Sequence, residues 1–406
     1  MPGVLITDKL PSPTSVQRRI ELGRRAYIAG AFEHSGRYLP EASLAQLHSE
    51  VALGALLDAG LTLADVDGFL STPDAPGFGV ITLADYLGLD RLTFTDTTET
   101  GGSAYVAHVG HAAMAIEVGL CSVVLLTMAG KFSSKLPMPS AYLDAPELSF
   151  EIPFGTSLVP EYALAARRHM FEFGTTAEQL AEIKVAASRS ARHNPNAVLR
   201  KVVTVEQVLD SPLIADPLHK LDCCINTDGG GALVVVSEDV ARSLDRHCVA
   251  IRGHATAIKG SFGGRNDLTY TPAVHSGARA YGMAGVGPED IDYAGLYDSF
   301  TITVLEQLED LGFCEKGKGG SFVESGALRS PDGSLPTNSD GGGLCNNHPG
   351  ARGGMPKLVE AVRQLRGEAT PEVQVRDCEI ALVNGIGGSI GTRMGSGTVI
   401  LGREAI

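Results

Sequence analysis

Four short segments in the first half of the chain recur in the same order in the second half, and this repetition constrains the fold most strongly. The pairs share patterns of glycine, aspartate and apolar residues: 59–70 with 284–296, 99–116 with 340–362, 120–130 with 377–388, and 228–239 with 395–404. Each match alone is weak, because α/β proteins reuse such patterns. Four matches in register predict a duplicated unit.

The spacing of the paired segments predicts an insertion in the first half. The offset between partners drops by about 90 residues between the third pair and the fourth. We therefore predict an N-terminal half at 20–130 plus 226–245, an insertion at 131–225 and a C-terminal half at 246–406. The insertion is predicted to be partly helical, because 175–194 begins with a threonine and a capping-box-like TAEQ and ends at Asn-Pro.

The segments between the matches indicate alternating helices and strands. Ser43 is a suitable N-cap for a helix with apolar residues at helical spacing, and 299–313 shows the same spacing with Gly312 as its stop. The stretch VVLLTM is apolar on both faces, as is typical of a covered strand. Two such halves packed together predict an α/β fold of five layers, αβαβα, with sheets flanked by helices.

Composition excludes several classes of function for this chain of 406 residues. Its net charge of −14 makes nucleic acids and anionic membrane surfaces poor partners. No apolar run of 18 residues is present, and the N-terminal sequence lacks the pattern of a signal peptide. The seven cysteines form no CxxC pair and no zinc-like spacing with histidine, which predicts reduced thiols, no metal and a cytoplasmic location.

Ligands of open α/β sheets bind beyond the carboxyl ends of the strands. The repeat predicts four loops at that edge: 98–103, 297–300, 341–354 and 384–389. A pseudo-twofold axis between the halves would make these loops neighbours, so the functional site is expected there.

Three stretches resemble the signatures of the thiolase superfamily, closest to its branch of sterol-carrier-protein thiolases and lipid-transfer proteins. They are LYDSFTITVLEQLEDLGF at 296–313, NSDGGGLCNNHPGARGG at 338–354 and LDCCINTDGGGALVVVSE at 221–238. The resemblance extends from about residue 25 to the end of the chain. It implies a duplicated thiolase fold, a homodimer and an acyl-CoA substrate, so that coenzyme A is the expected cofactor.

The resemblance also implies roles for individual residues. His348 stands where the family's loop histidine stands, and Tyr297 takes the position of the family's Asn or His. Thiolases use a cysteine thiolate at a helix N-terminus as the nucleophile, because the helix dipole and a nearby base lower its pKa. Glu99 is in register with that cysteine, and Asn384 or Gly385 occupies the place of the family's second cysteine.

The absence of cysteines at the positions of the family's two catalytic cysteines favours a reaction without a covalent acyl intermediate. Retro-aldol cleavage of a β-hydroxyacyl-CoA is the favoured reaction, as in similar enzymes that cleave steroid side chains together with a small zinc-ribbon/OB-fold partner subunit. One alternative is an acyltransferase of the acetyl-CoA acetyltransferase type that uses Cys345 or a residue of a partner. Another is a non-catalytic subunit that binds acyl-CoA or lipid. Glu99 is expected to act either as a general base or as a helix cap.

Several further residues are expected to support the site. Because Tyr297 is the last tyrosine of the chain, no second tyrosine is expected beside His348, and neighbouring asparagines are expected to donate hydrogen bonds. Glycines of the last loop are expected to bind the oxyanion, and arginines of the insertion to meet the phosphates of coenzyme A. His108 and His111 are expected to serve packing, and Asp298 to support a turn. The supporting residues are Asn346, Asn347, Gly387, Gly388, Arg167, Arg168, Arg189 and Arg192.

Overall fold

A computed structural model describes residues 25–72, 75–133, 153, 157–260, 266–350, 352–390 and 393–404. Parts of three sequence predictions lie outside these ranges. They are the N-terminal stretch without a signal peptide, much of the start of the predicted insertion, and Ala351 of the loop that carries His348.

The described residues form one large sheet and a small two-stranded sheet. The strands are β1 (Ala26–Glu33), β2 (Gly68–Leu70), β3 (Phe94–Asp96), β4 (Val123–Lys131), β5 (Leu213–Ala215), β6 (Leu218–His219), β7 (Asp228–Ser237), β8 (Val249–Lys259), β9 (Tyr293–Leu296), β10 (Ile380–Gly388) and β11 (Met394–Arg403). The large sheet has the strand order β3-β2-β4-β7-β1-β8-β11-β10-β9, and the small one pairs β5 with β6.

The two halves of the large sheet have the same pairing pattern. In the first half, β2 pairs with β4 in parallel, β4 with β7 antiparallel and β7 with β1 antiparallel. In the second half, β9 pairs with β10 in parallel, β10 with β11 antiparallel and β11 with β8 antiparallel. The four segment pairs of the sequence fall on equivalent elements, as a duplication requires. The residue boundaries of the predicted domains stay a prediction.

One aspartate in each half repeats the same hydrogen bonds. The carboxylate of Asp67, just before β2, accepts from the backbone N–H groups of Ser122 and Val123 at the start of β4. The carboxylate of Asp292, just before β9, accepts from the N–H groups of Glu379 and Ile380 at the start of β10. The repeated aspartate therefore aligns two parallel strands by satisfying backbone donors that the ladder leaves open.

Helices cover the outer faces of the large sheet and fill the space between its two halves. Two of the predicted helix starts are confirmed. The Oγ of Ser43 accepts from the N–H of Gln46, and Thr176 forms a capping box with Gln179. The helices are α1 (Leu44–Ala59), α2 (Val80–Leu87), α3 (Ala104–Glu117), α4 (Leu158–Phe173), α5 (Ala177–Ala191), α6 (Val205–Leu209), α7 (Glu238–Ser243), α8 (Ala273–Ala284), α9 (Thr301–Asp310), α10 (Gly319–Glu324), α11 (Gly342–Cys345) and α12 (Gly354–Arg366).

The core lies in layers, as the sequence predicts. Helices α3 and α12 form the central layer and share one apolar cluster with strands of both halves. Helix α1 packs on the outer face of the first half, and α8 packs on the outer face of the second. The two halves are also joined edge to edge, because Tyr27 and Ile28 of β1 pair with Ala250 and Val249 of β8. These pairs join both halves into one nine-stranded sheet.

The layering brings the predicted loops to one place. The chain leaves β9 directly into 297–300, and the short 3₁₀ turn Gly101–Ser103 enters α3 beside β10. The loop that carries His348 connects α11 to α12. Within the described ranges, every helix is too short or too polar to span a lipid bilayer.

We predict that Asp67→Ala and Asp292→Ala destabilise the fold by similar amounts, about 1–3 kcal/mol each, because each removes the acceptor of two backbone N–H groups and a hydrogen bond contributes about 0.5–1.5 kcal/mol. Urea unfolding of the two variants measures this. Asp85→Ala, which removes an exposed carboxylate from α2, is the matched control and should change the free energy of unfolding by less than about 0.5 kcal/mol. A cost at only one of the two positions would contradict their equivalence.

Candidate functional site

Tyr297 and His348 are in direct contact. The Oη of Tyr297 lies 2.9 Å from Nε2 of His348, and the ring centroids are 5.6 Å apart. Tyr297 follows the end of β9, and its backbone N–H donates to the carbonyl of Asn384 in β10. The fold therefore brings together the two side chains that the resemblance selects.

Two glycines approach the ring of Tyr297 closely. A Cβ atom at Gly102 would lie 2.4 Å from Cζ of Tyr297, and a Cβ at Gly353 would lie 2.9 Å from both Tyr297 Cε2 and His348 Cδ2. Any side chain at either position would displace the ring. Glycine is required at these positions because the backbone approaches the site more closely than a methyl group permits.

A cavity of about 440 Å³ opens onto the pair. Its apolar wall comes from the insertion, from β10 and from the segment after β9: Phe132, Leu158, Tyr162, Phe300 and Ile386. Its polar groups include Tyr297, His348, Cys224 and Asn226. A mostly apolar cavity with a few convergent polar groups is typical of a small-molecule site.

Burial keeps both partners neutral. It lowers the pKa of His348 to about 4, despite the opposing effect of the nearby Asp298 carboxylate. It raises the pKa of Tyr297 well above 10, and neighbouring acidic groups add to this effect. At neutral pH the pair is therefore a phenol hydrogen-bonded to an uncharged imidazole. Among the described residues, Nδ1 of His348 has no hydrogen-bond partner.

A chain of hydrogen bonds fixes the His348 loop from behind. The backbone N–H of His348 donates to Oγ1 of Thr227 at 2.9 Å, and that hydroxyl donates to Oδ1 of Asn347 at 2.7 Å. The Nδ2 group of Asn347 then donates to Glu33 at 2.7 Å. Burial alone would raise the pKa of Glu33, but Arg37 and Arg363 lower it below the ordinary value. The chain therefore ends on a buried, ionised carboxylate.

A buried ion pair supports the same loop from the other side. Oδ1 of Asp298 lies 2.6 Å from Nζ of Lys357, and the carboxylate also accepts from the N–H groups of Gly343 and Leu344. These N–H groups open α11 and have no partner within the helix. The carboxylate supports the turn before His348, as the sequence predicts for Asp298.

Glu99 lies at the start of the glycine segment that enters α3. One of its oxygens accepts from the N–H of Gly101 at 2.8 Å, and the other pairs with Arg352. Its side chain is partly exposed and is not among the described residues that line the cavity. Of its two expected roles, this geometry corresponds to the cap.

The cysteine in the cavity is Cys224, not Cys345. Cys345 is buried in α11 and does not line the cavity, and burial raises the pKa of its thiol above the ordinary value. Cys224 lines the cavity, and burial raises its pKa to about 12. Both thiols are therefore protonated at neutral pH, and neither is activated as a nucleophile.

The predicted supporting asparagines lie behind the loop. The amide of Asn346 donates to Asp340 and accepts from Arg37, while that of Asn347 bridges Thr227 and Glu33. Both amides are therefore already committed, and neither residue lines the cavity. Gly387 and Gly388 do line it, as the sequence suggests.

The predicted phosphate-binding arginines lie apart from the cavity. Arg167 pairs with Asp216, and Arg168 pairs with Glu172, all on the exposed surface of the chain. Arg189 lines a different concavity, together with Arg192. None of the four is among the described residues that line the cavity beside Tyr297.

Sequence reasoning missed several cavity residues, among them Tyr162, Cys224, Asn226 and the charged residues Glu161 and Arg393. The expectation of no second tyrosine is wrong, because Tyr162 of α4 lines the cavity and its hydroxyl donates to the carbonyl of Gly388 at 3.1 Å. Asn226 and Cys224 lie in the segment before β7. The apolar spacing of Leu158 and Tyr162, four residues apart on one helix face, was the available signal.

His108 and His111 lie on α3, away from the cavity. His111 pairs with Asp96, while His108 is fully buried against the ring of Tyr105. Burial lowers the pKa of His108 to about 4. Their contacts correspond to the packing role that the sequence predicts.

Comparison with known proteins gives a consistent set of relatives. Residues 255–403 match the family model described as "Thiolase C-terminal domain-like". The chain is similar to an acetyl-CoA acetyltransferase of Methanothermobacter thermautotrophicus, with 35% identity over 91% of this chain and 98% of the relative. It is also similar to a steroid side-chain-cleaving aldolase of Thermomonospora curvata, with 36% identity over 79% of this chain and 85% of the relative.

A solved structure has a similar fold over nearly its whole length. It is named "Ltp2-ChsH2(DUF35) aldolase" and superposes with a TM-score of 0.85 at 34% identity, covering 93% of this chain and 98% of that one.

We predict that the neutral state of His348 makes stability depend on pH. Histidine in the unfolded chain titrates near 6.5, so the unfolded state binds more protons than the folded state between pH 6.5 and about 4. As the pH falls through this window, His348 lowers the free energy of unfolding by about 1.4 kcal/mol per pH unit. His108 contributes with the same sign.

Urea unfolding of the wild-type protein and of His348→Gln between pH 7 and 4 measures the effect. The variant is expected to show a flatter pH profile, because one buried neutral imidazole is gone. Identical slopes for the two proteins would show that His348 titrates normally in the folded state.

Proposed function

The chain belongs to the thiolase superfamily, in the branch related to sterol carrier protein 2, and from this premise we propose that it cleaves a β-hydroxyacyl-CoA by a retro-aldol reaction. It is an enzyme of that superfamily, an acyl-CoA lyase or an acyltransferase. The observation that carries the lyase proposal is the neutral Tyr297–His348 hydrogen bond at a cavity with no activated thiol.

The pair can act as a proton relay. As Tyr297 accepts the proton of the β-hydroxyl group, it passes its own proton to Nε2 of His348, so that the phenol need not ionise beforehand. The Cα–Cβ bond then breaks and leaves a carbonyl compound and the enolate of the shortened acyl-CoA. The relay returns the proton to Cα of this enolate. Protons and electrons balance, and no covalent enzyme intermediate forms.

The enolate oxygen needs hydrogen-bond donors placed in advance. The cavity offers the side-chain amide of Asn226 and the glycine backbone of the two loops at 101–102 and 387–388. The apolar wall lowers the local dielectric constant, so each donor there is worth more than in bulk solvent. We assign the oxyanion site to these groups.

The lack of an activated cysteine supports the lyase over thiolysis. Residues 98–103 contain no cysteine, and Glu99 stands in register with the family's nucleophile. A carboxylate that caps a helix and pairs with Arg352 cannot form the usual acyl-thioester. The aldolase similarity points the same way, since that relative is named for cleavage of steroid side chains.

The cavity suggests the class of acyl group. Its walls are aromatic and aliphatic, and its volume of about 440 Å³ accepts a bulky apolar acyl chain. We propose coenzyme A as the handle of the substrate, a homodimer as the assembly and a small zinc-ribbon/OB-fold protein as partner. The partner proposal rests on the similar structure, which is named as a complex with a DUF35 component.

Acyltransfer is the second candidate, because Cys224 lies in the cavity and the acetyl-CoA acetyltransferase matches almost the whole chain. The raised pKa of the Cys224 thiol disfavours acyltransfer, because the thiol is protonated and is a weak nucleophile. The Tyr297–His348 pair disfavours the alternative of a non-catalytic acyl-CoA carrier, since a protein that only binds its ligand requires no acid–base pair.

We predict that Tyr297→Phe and His348→Ala each lower kcat for cleavage of a β-hydroxyacyl-CoA by about 10²–10⁴, because each breaks the proton relay. The assay follows the carbonyl product and the shortened acyl-CoA, with any protein that co-purifies. Tyr86→Phe and His275→Ala, at exposed positions, are matched controls and should keep full activity. Cleavage is expected to proceed without free coenzyme A; a requirement for it would indicate thiolysis instead.

A second prediction separates lyase from acyltransferase. After incubation with acetyl-CoA, intact mass spectrometry of the wild-type protein is expected to show no acyl adduct, because both candidate thiols are protonated. A stable adduct that disappears in Cys224→Ser or Cys345→Ser would overturn the lyase proposal in favour of acyltransfer.

A further inference from the structure

A second concavity of about 660 Å³ lies between the C-terminal end of α5 and the turn at 325–334. Three arginines converge on it: Arg189 in the last turn of α5, Arg192 just after it, and Arg329 from the turn. None of the described residues that line this concavity also lines the cavity beside Tyr297. The two are therefore distinct sites.

These arginines have free charges. All three side chains are exposed, and none forms an ion pair with a described residue. Several other arginines of the chain form ion pairs, for example Arg366 with Asp58 and Arg242 with Glu238. In a protein of net charge −14, three guanidinium groups around one hollow, with no ion-pair partner in the described part of the chain, form a local positive field against the overall charge.

Helix electrostatics explain only part of this arrangement. Cations near the C-terminus of a helix interact favourably with its dipole, which accounts for Arg189 and Arg192. Arg329 comes from a separate segment, where its guanidinium lies against Gly326: a Cβ at that glycine would lie 3.0 Å from Cζ of Arg329. The dipole of α5 does not account for Arg329, which lines the same hollow as Arg189 and Arg192 but belongs to another segment.

The remaining lining fits a phosphate ligand. His193 and Ser334 add polar groups, and the Oγ of Ser330 is buried without a hydrogen-bond partner among the described residues. Asp332 is the carboxylate among the described lining residues, so cations outnumber it three to one. Planar guanidinium forks match phosphate oxygens and bind them in pairs.

We propose that this concavity, formed by Arg189, Arg192 and Arg329, binds a small ligand with two or more phosphate groups, of the size of a nucleoside diphosphate. A nucleic acid is excluded by the small hollow and the acidic chain around it. Two sources share this chemistry: a free nucleotide, or the nucleotide end of a coenzyme A molecule. Binding of a free nucleotide is independent of the proposed function, whereas binding of the nucleotide end of coenzyme A rests on it.

Calorimetric titration of the full chain with inorganic pyrophosphate and with ADP, at low ionic strength, tests the site. The double variant Arg192→Ala/Arg329→Ala is expected to lower the affinity for both probes at least tenfold. Arg279→Ala/Arg376→Ala is the matched control, since it removes two exposed, unpaired arginines and changes the net charge equally. The affinity of this control variant for pyrophosphate and ADP should stay within twofold of that of the wild type. Added salt should weaken the binding of both probes to the wild type and to the control.

Competition distinguishes the two sources. If coenzyme A displaces pyrophosphate and the double variant raises KM for acyl-CoA without changing kcat, the ligand is the nucleotide end of the substrate. If coenzyme A does not compete and KM is unchanged, the ligand is a separate nucleotide. The proposal is overturned if neither probe binds the wild type, or if the double variant binds as tightly as the wild type. Loss of catalytic activity in Tyr297→Phe bears on neither result.

Discussion

The hydrogen bond between Tyr297 and His348 depends on nearly every part of the fold. The tyrosine is placed by the end of β9, and the histidine by the loop between α11 and α12. The backbone at Gly102 and Gly353 lies against the ring of Tyr297. Because these segments are far apart along the chain, the site exists only when both halves have packed around the central helices. Burial then removes water and holds the pair uncharged.

Stability and chemistry are coupled in this arrangement. The residues behind the loop include buried carboxylates and cations, with Glu33, Arg37 and Arg363 linked through Asn347 and Thr227 to the backbone of His348. A buried ionic network is costly unless each member is satisfied. This network lies directly behind Tyr297 and His348, so it fixes the orientation of the imidazole.

Patterns that repeat along the chain predicted the duplication and the layered α/β class, whereas the resemblance to the thiolase superfamily selected Tyr297 and His348. The repeated aspartates at 67 and 292 carried that signal because each makes the same backbone bonds in its own half. The single sheet was not predictable, since only two residue pairs join β1 to β8. Cys224 was missed because tertiary packing alone, with no local motif, brings it to the cavity, and Tyr162 was missed because its spacing from Leu158 on one helix face was not used. The amides of Asn346 and Asn347 were assigned to the site because a loop sequence does not reveal which side faces the substrate.

A crystal structure of the protein with a bound acyl-CoA product tests the account most directly. The account predicts that the thioester lies in the cavity, with its carbonyl oxygen or α-carbon within about 3–3.5 Å of the Tyr297 hydroxyl and with Asn226 or a loop glycine facing the same oxygen. A thioester bound beyond reach of both Tyr297 and His348, or one attached covalently to a cysteine, would contradict it.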